Sequence, residues 1–229
     1  MRYIDKTNRC EDFDNFVTTY RGRLRNDWEK FKKVKGGNVV RLILHQHTWR
    51  LQKGLCAYCE QEIPEKTKPE EELKSHLEHI RSKTAFPHLT YTFENIIVSC
   101  EGFDLTNITE VKRAFCGHIK DDKRRGIEYD DVLFLNPTEK TDIESYFYYD
   151  SEGNIEPHPT KTADEQLQAA FMIRILGLDH SVLVDMRKNQ YDLWLEKKFE
   201  WSDEQLAVEL NENLPLLPSF FSLLKQKIL

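Results

Sequence analysis

Apolar residues near the start of the chain recur at the three- and four-residue steps of amphipathic helices. One series predicts a single long helix that Asp12 caps and that ends at Gly36-Gly37. Its members are Phe13, Phe16, Tyr20, Leu24, Trp28 and Phe31. A second series predicts another helix that leads the chain to Cys56, and it comprises Val40, Leu44, His47 and Leu51.

The same spacing returns from Ala163 onward and predicts a helical carboxyl-terminal region. Gly177 ends the first of these helices, and Ser202 with Gln205 forms a candidate capping box for the third. The last helix follows Pro218. The apolar residues that define the first two helices are Leu167, Ala170, Phe171, Ile175, Val182, Met186, Leu193 and Trp194.

β patterns lie between the helical regions. NIIVS at 95–99 predicts a strand, and ESYFYYDSEGNIEP at 144–157 alternates around a turn and predicts a hairpin. The sequence therefore predicts an α+β protein in four regions. These are an amino-terminal helical region (1–53), an irregular region rich in cysteine and histidine (54–132), a hairpin element (133–160) and a carboxyl-terminal helical region (161–229).

Composition places the chain among globular proteins, since 39% of its 229 residues are hydrophobic and 31% are charged. No apolar run reaches the roughly 18 to 20 residues that a membrane span needs, and the first residues carry no apolar stretch typical of a signal peptide. We therefore expect a cytoplasmic protein without a membrane association.

The net charge of −6 conceals two basic segments. Residues 21–53 carry ten Lys or Arg against two acidic residues, and residues 112–125 carry six against two. Basic segments on an acidic chain indicate a polyanion bound at one place. Solvated helix faces explain either segment equally well when it is taken alone.

Five cysteines in a chain with no export signal favour metal ligation over disulfides. Cys56 and Cys59 have the C-x-x-C spacing of a zinc knuckle, and Cys100 and Cys116 are the candidates for the other two ligands. Four thiolates favour a structural Zn²⁺ site that has no open position for chemistry. The alternative is that all four are buried free thiols.

Three short segments together resemble the HNH nuclease motif. They are Ser75-His76-Leu77-Glu78-His79-Ile80, Asn95-Ile96-Ile97-Val98-Ser99-Cys100 and Cys116-Gly117-His118-Ile119-Lys120-Asp121. The resemblance covers roughly residues 54–125. It implies a ββα-metal unit, in which a strand pair and a helix hold one divalent ion. The unit would be stabilised by zinc and lie within a mostly helical protein that also carries the hairpin.

The resemblance further implies that His79 is the general base, that Glu78 binds the catalytic metal and that Asn95 orients the loop and the imidazole. Phosphodiester hydrolysis needs an activated water and a positive centre on the phosphate, which a histidine and one Mg²⁺ or Mn²⁺ ion supply. The basic residues Arg81, Lys83 and Lys120 are candidates for phosphate contacts.

Two departures from the common motif concern the metal ligands. Glu78 stands where many members have Asp, and Gly117 stands where the last His or Asn usually lies. The second metal ligand is therefore open, with His118 as the first candidate and His76 as the second.

A closer resemblance is to the HNH subunit of Septu anti-phage systems, the PtuB-like proteins also found with retrons. The segments LCAYCE, EHIRSK, NIIVSC and the C-G-x-x-K ending carry it. It implies a nuclease effector of DNA or tRNA that is held by a PtuA-like ATPase, and in a retron also by a reverse transcriptase and its DNA. The chain itself has no G-x-x-x-x-G-K-[ST] phosphate loop. The rival interpretation is a catalytically silent zinc-ribbon adaptor that binds nucleic acid or protein.

Overall fold

The computed structural model describes residues 1–68, 75–104 and 112–229. Within these ranges the chain is an α+β protein, as the sequence predicts. The helices are α1 (Glu11–Leu24), α2 (Trp28–Lys33), α3 (Gly37–Leu51), α4 (Gly117–Lys120), α5 (Ala163–Leu176), α6 (Ser181–Glu200), α7 (Asp203–Glu209) and α8 (Phe221–Lys227). The strands are β1 (Ser75–His79), β2 (Ile96–Cys100), β3 (Phe103–Asp104), β4 (Lys112–Arg113), β5 (Phe147–Tyr149) and β6 (Ile155–Pro157).

The single helix expected over residues 12–36 is in fact two helices. Arg25 and Asn26 both adopt left-handed backbone conformations, with φ of 46° and 56°, and they end α1. The Asp27 side chain then accepts a hydrogen bond from the Glu29 N–H and caps α2. The apolar residues of both helices pack into one hydrophobic cluster, so the apolar spacing continues through this break and periodicity alone does not reveal it.

Asp12 does not cap α1, because the helix already begins at Glu11 and Cys10 is its N-cap residue. The remaining helix predictions hold with one further correction. Gly177 caps α5 in the left-handed conformation, and Ser202 and Gln205 form the expected capping box of α7. Leu167 and Ala170, by contrast, are exposed, and α5 buries Ala169 and Met172 instead. The packing of α5 against the rest of the core, rather than its own periodicity, sets which face is buried.

Each described sheet has two antiparallel strands. β1 pairs with β2 in the register Ser75↔Cys100 to His79↔Ile96, and α4 follows them in the chain. The hairpin prediction is confirmed by β5 and β6. The insertion between Cys100 and Cys116 lies partly outside the described residues, with β3 and β4 at its two ends.

Two apolar clusters flank the β1–β2 sheet. The larger cluster contains the four cysteines of the predicted zinc site together with residues of the hairpin and of the carboxyl-terminal helices. The smaller cluster contains residues of α1, α2 and α3 together with Phe93 and Ile96. No single helix in the described ranges is long and apolar enough to cross a membrane. The helices α5 and α6 meet that test by length and composition only as a pair, bent by 108°.

Candidate functional site

The four cysteines of the predicted zinc site lie together. Their sulfur atoms all fall within 4.8 Å of one another. The Sγ atoms of Cys56 and Cys116 are 3.9 Å apart, and those of Cys59 and Cys100 are 3.8 Å apart. Four thiolates around a zinc ion at about 2.3 Å would have sulfur atoms about 3.8 Å apart. The cluster is therefore close to the size of a tetrahedral Zn²⁺ site.

Backbone groups hold these sulfur atoms in place. The Cys100 N–H donates to Cys56 Sγ at 3.3 Å, and the Gln61 N–H donates to Cys59 Sγ at 3.5 Å. Cys116 has φ of 66°, and its N–H donates to the Leu176 carbonyl at the end of α5. N–H donors around the sulfur atoms favour thiolates, which are the form that binds zinc.

A second cluster of possible ligands lies across the β1–β2 sheet and α4. His76 Nδ1 is 3.2 Å from one oxygen of Glu101, and His118 Nε2 is 2.8 Å from the other. Glu78, two positions after His76 on the same face of β1, has a carboxylate oxygen 3.5 Å from His76 Nε2. The ligand atoms of His76, Glu101 and His118 all lie within 4.8 Å of one another.

The charges in this cluster are strongly coupled. Burial alone would raise the pKa of Glu78, but Lys120 and His76 outweigh it and lower the pKa to about 2. Burial likewise opposes the charged form of His76, yet Glu101 and Glu78 raise its pKa to about 9. His118 and His76 lower the pKa of Glu101 despite its burial. The cluster therefore holds two carboxylates in their ionised form.

Two buried atoms of the cluster lack a hydrogen-bond partner among the described residues. They are His76 Nε2 and Glu78 Oε1. Glu78 Oε1 lies 3.2 Å from Lys120 Nζ, so that contact is an ion pair without hydrogen-bond geometry. Imidazole and carboxylate groups are ligands of divalent cations, and an ion would satisfy both atoms. The donor set therefore fits a divalent metal ion.

Glu101 is a member that the sequence analysis missed. The motif comparison stopped at Cys100, whereas the residue directly after it contacts both His76 and His118. The available signal was a carboxylate next to a predicted zinc ligand at the end of a strand. The structure also brings together Glu78, His76 and His118, which the sequence predicts as metal ligands.

His79 makes its contacts away from this cluster. Its ring meets the edge of Trp28 with centroids 4.6 Å apart, and its Nε2 lies 2.9 Å from the Thr90 carbonyl oxygen. A carbonyl only accepts, so Nε2 carries the proton and Nδ1 is the acceptor of the neutral ring. Burial lowers the pKa of His79 to about 4, so the imidazole is neutral at pH 7.

Asn95 braces the loop that follows His79. Its Oδ1 accepts from the Arg81 N–H at 2.8 Å, and its Nδ2 donates to the carbonyls of Arg81 and Leu89. The Ile80 N–H donates to the Asn95 carbonyl. The amide thus fixes both the exit of β1 and the segment before Thr90, the residue that orients the His79 ring.

No family model matches the chain. Over 177 residues it is 30% identical to the protein named "Retron Vc95 putative HNH endonuclease" from Vibrio cholerae serotype O1 biovar El Tor. That match covers 72% of this chain and 77% of the relative. The chain belongs to the HNH endonuclease family. It is accordingly a nuclease of the HNH type, whose substrate is nucleic acid.

The basic residues expected to meet phosphate in this HNH endonuclease lie in three different settings. Lys120 is 2% exposed, and its Nζ donates to the carbonyls of His79 and Ile80. Arg81 is partly buried and paired with Asp131 and Glu139. Lys83 is exposed. Lys120 therefore supports the end of β1, and Lys83 remains the accessible cation of the three.

Gly117 explains one departure of this HNH endonuclease from the common motif. A Cβ atom at Gly117 would lie 2.8 Å from Glu78 Cδ and 3.1 Å from both Glu78 Cγ and Oε2. The longer acid at position 78 thus occupies the space that a side chain at position 117 would fill. Glu in place of Asp at position 78 and Gly in place of His or Asn at position 117 are therefore linked, because the longer Glu78 side chain fills the space beside Gly117.

Proposed function

We propose that this HNH endonuclease hydrolyses phosphodiester bonds with a single divalent metal ion held by His76, Glu78, Glu101 and His118. The observation that carries the proposal is the convergence of His76, Glu101 and His118, with Glu78 3.5 Å from His76. These side chains lie beside a four-cysteine cluster, on a strand pair that is followed by a short helix. Residues 54–132 would form the ββα-metal core. The cysteine cluster would hold Zn²⁺ and have no part in the chemistry.

His79 is the general base of this proposal. Its ring is neutral at pH 7, and the Thr90 carbonyl fixes the tautomer that leaves Nδ1 free to take a proton from water. Asn95 positions this imidazole through the loop that it braces. The metal ion, when bound, would stabilise charge on the phosphate and the leaving oxygen. Lys83 is the remaining accessible candidate for a phosphate contact beside the site.

The ligand set favours Mn²⁺ over Mg²⁺ as the catalytic ion. Two of its four members are imidazoles, whereas Mg²⁺ prefers an octahedron of oxygen ligands and retains several waters. We therefore expect activity with Mn²⁺ at lower concentrations than with Mg²⁺.

The nuclease test compares the wild type with His79→Ala on plasmid, linear single-stranded DNA and bulk tRNA, with Mn²⁺ or Mg²⁺. His88→Ala is the matched control, because His88 is an exposed histidine in the same loop. Cleavage by the wild type and by His88→Ala, and its loss in His79→Ala, would support the assignment and name the substrate. Equal cleavage by all three would refute the role of His79. No cleavage by any of them with zinc and the ATPase present would favour the silent adaptor.

As a second part of the proposal, this endonuclease is the cytoplasmic effector of an anti-phage defence complex whose sensor is a PtuA-like ATPase. In a retron, the reverse transcriptase and its DNA would also be partners. The relative's name places that protein with a retron. The carboxyl-terminal helical region is the proposed docking surface, since it exposes Leu193, Phe199 and Val208 on an acidic segment. Phe199 has 84% of its surface exposed.

Copurification with the ATPase tests this docking surface. Phe199→Asp should abolish copurification while the purified subunit stays folded, because Phe199 buries little of its surface in the chain. Val132→Asp is the matched control, since Val132 is 78% exposed in a different region. Copurification of Phe199→Asp at the wild-type level would refute this surface. Truncation of the region is unsuitable, because its helices share a core with the four cysteines.

A further inference from the structure

A cavity of about 130 Å³ lies between α3 and β1 and reaches His76 of the metal cluster. Five of the side chains that line it are polar and carry nitrogen: Asn38, Arg41, His45, Lys66 and His76. A single ordered water needs only about 10–15 Å³. The cavity is therefore large enough for a group of several atoms, and it shares His76 with the metal cluster.

Two side chains that line this cavity each carry a buried nitrogen atom with no hydrogen-bond partner among the described residues. The two atoms are Arg41 Nε and His45 Nδ1. His45 is only 3% exposed, and its other ring nitrogen is 3.1 Å from the Ser75 hydroxyl. Buried polar atoms are almost always satisfied by protein, water or a ligand. Two unsatisfied nitrogens on side chains that line one cavity therefore indicate that something polar binds there.

The charge of the cavity defines the class of that ligand. Burial, together with the positive charges of Lys66, His76 and Arg41, lowers the pKa of His45 to about 4. No carboxylate is found among the described residues that line the cavity. Asn38 lies in the first turn of α3, where the helix dipole also favours negative charge. The surroundings therefore suit an anion.

We propose that this cavity binds a second phosphate group of the nucleic-acid backbone, beside the phosphate that is cut. The inference rests on the proposed nuclease function and adds a substrate contact outside the 54–132 core. Arg41 supplies a planar guanidinium, which matches phosphate oxygens better than the point charge of a lysine. Because His76 belongs to both sites, a phosphate in the cavity would align the strand across the metal. The helix α3 is thus part of the substrate surface.

Binding is measured by fluorescence anisotropy of a labelled single-stranded oligonucleotide over a range of salt concentrations. The parent is the full chain with His79→Ala, so that no cleavage occurs during the measurement. In this background, Asn38→Asp places a negative charge at the cavity. Asn38 is exposed and lies in the first turn of α3, where an acidic residue is favourable, so the fold is preserved. Arg41→Gln removes the guanidinium, and Arg50→Gln is the matched control on the exposed side of α3.

We expect Asn38→Asp and Arg41→Gln to weaken binding about 10-fold and to reduce the slope of log K against log salt by about one. Arg50→Gln should leave both unchanged. Inorganic phosphate should compete for the oligonucleotide with the parent more effectively than with Asn38→Asp. If Asn38→Asp binds the oligonucleotide with the same affinity and the same salt slope as the parent, the cavity is not a phosphate site. The proposal is also refuted if the parent binds no oligonucleotide.

This outcome is separable from that of the nuclease assay. If no form of the protein cleaves but Asn38→Asp still lowers affinity and slope, the phosphate site stands and the proposed catalysis fails. If the wild type cleaves and Asn38→Asp cleaves and binds equally well, the catalysis stands and the phosphate site fails.

Discussion

The fit between Gly117 and Glu78 makes a sharp prediction about the metal cluster. Replacing Gly117 with alanine adds one methyl group at 2.8 Å from Glu78 Cδ, where carbon atoms normally lie about 3.5–4.0 Å apart. Glu78 must therefore retreat by roughly 0.7 Å or more. Its carboxylate is held by Lys120 at 3.2 Å and lies 3.5 Å from His76, so it cannot retreat without changing those contacts.

The backbone does not confound this experiment. Gly117 begins α4 and does not have a left-handed φ, so alanine is conformationally acceptable there and would by itself favour the helix. The steric clash should cost about 1–3 kcal/mol of stability, as overpacking does elsewhere. A misplacement of about 1 Å near the reacting groups costs up to roughly 100-fold in rate. We expect kcat/KM of Gly117→Ala to fall about 10- to 100-fold, with a weaker apparent affinity for Mn²⁺.

The matched control is Gly22→Ala, because a Cβ atom at Gly22 meets nothing within 4 Å. The decisive variant is the double substitution Glu78→Asp with Gly117→Ala. Aspartate is one methylene shorter and vacates the space that the methyl group needs, so the double variant should be more active than Gly117→Ala alone. The assay is steady-state cleavage under Mn²⁺ titration, with melting temperatures measured in parallel. Full activity of Gly117→Ala, or no recovery in the double variant, would refute the steric argument.

Three further predictions concern zinc, a buried lysine and the base. We expect the wild type and Cys10→Ser to bind one zinc per chain by metal analysis, whereas Cys59→Ser should bind none and unfold, since structural zinc contributes about 10–16 kcal/mol in zinc-finger peptides. Lys6 is 6% exposed, and burial lowers its pKa to about 7. The unfolded chain therefore binds more protons than the folded chain above pH 7, and the wild type gains stability as the pH rises. The stability of the wild type relative to Lys6→Met should therefore rise by roughly 1 kcal/mol per pH unit between pH 7 and 10 in denaturant titrations, and a constant difference would contradict this account. Trp28→Leu should raise the pKa of His79 from about 4 toward its ordinary value in an NMR titration, because the ring that buries the imidazole is gone, and an unchanged pKa would show that other groups bury it.

Local signals in the sequence predicted a large part of the fold. Capping residues such as Ser202, Gln205 and Gly177 act on neighbouring backbone groups, so their effect can be inferred without knowledge of the tertiary structure. The break at Arg25 and Asn26 was not inferred, because arginine has no preference for the left-handed conformation and the apolar spacing continues across both residues.

In the candidate site, too, features set by neighbouring residues could be predicted, whereas features set by residues distant along the chain could not. The C-x-x-C spacing indicated the zinc ligands, since two cysteines of one turn can face one ion. Glu101 escaped notice because its role depends on His118, which comes seventeen positions later and returns to it only through α4. The steric fit between Glu78 and Gly117 likewise could not be predicted, because the two residues lie in elements that are distant along the chain.

The contacts of the cysteine cluster with the carboxyl-terminal helices bear on when, during synthesis, the candidate site can form. The Cys116 N–H donates to Leu176, and Ser222 donates two hydrogen bonds to Glu60, the residue after Cys59. A chain still on the ribosome lacks these contacts until residues 176 and 222 have emerged. The nuclease centre is then incomplete during synthesis. Unfinished or prematurely terminated copies would carry the HNH residues without the framework that aligns them.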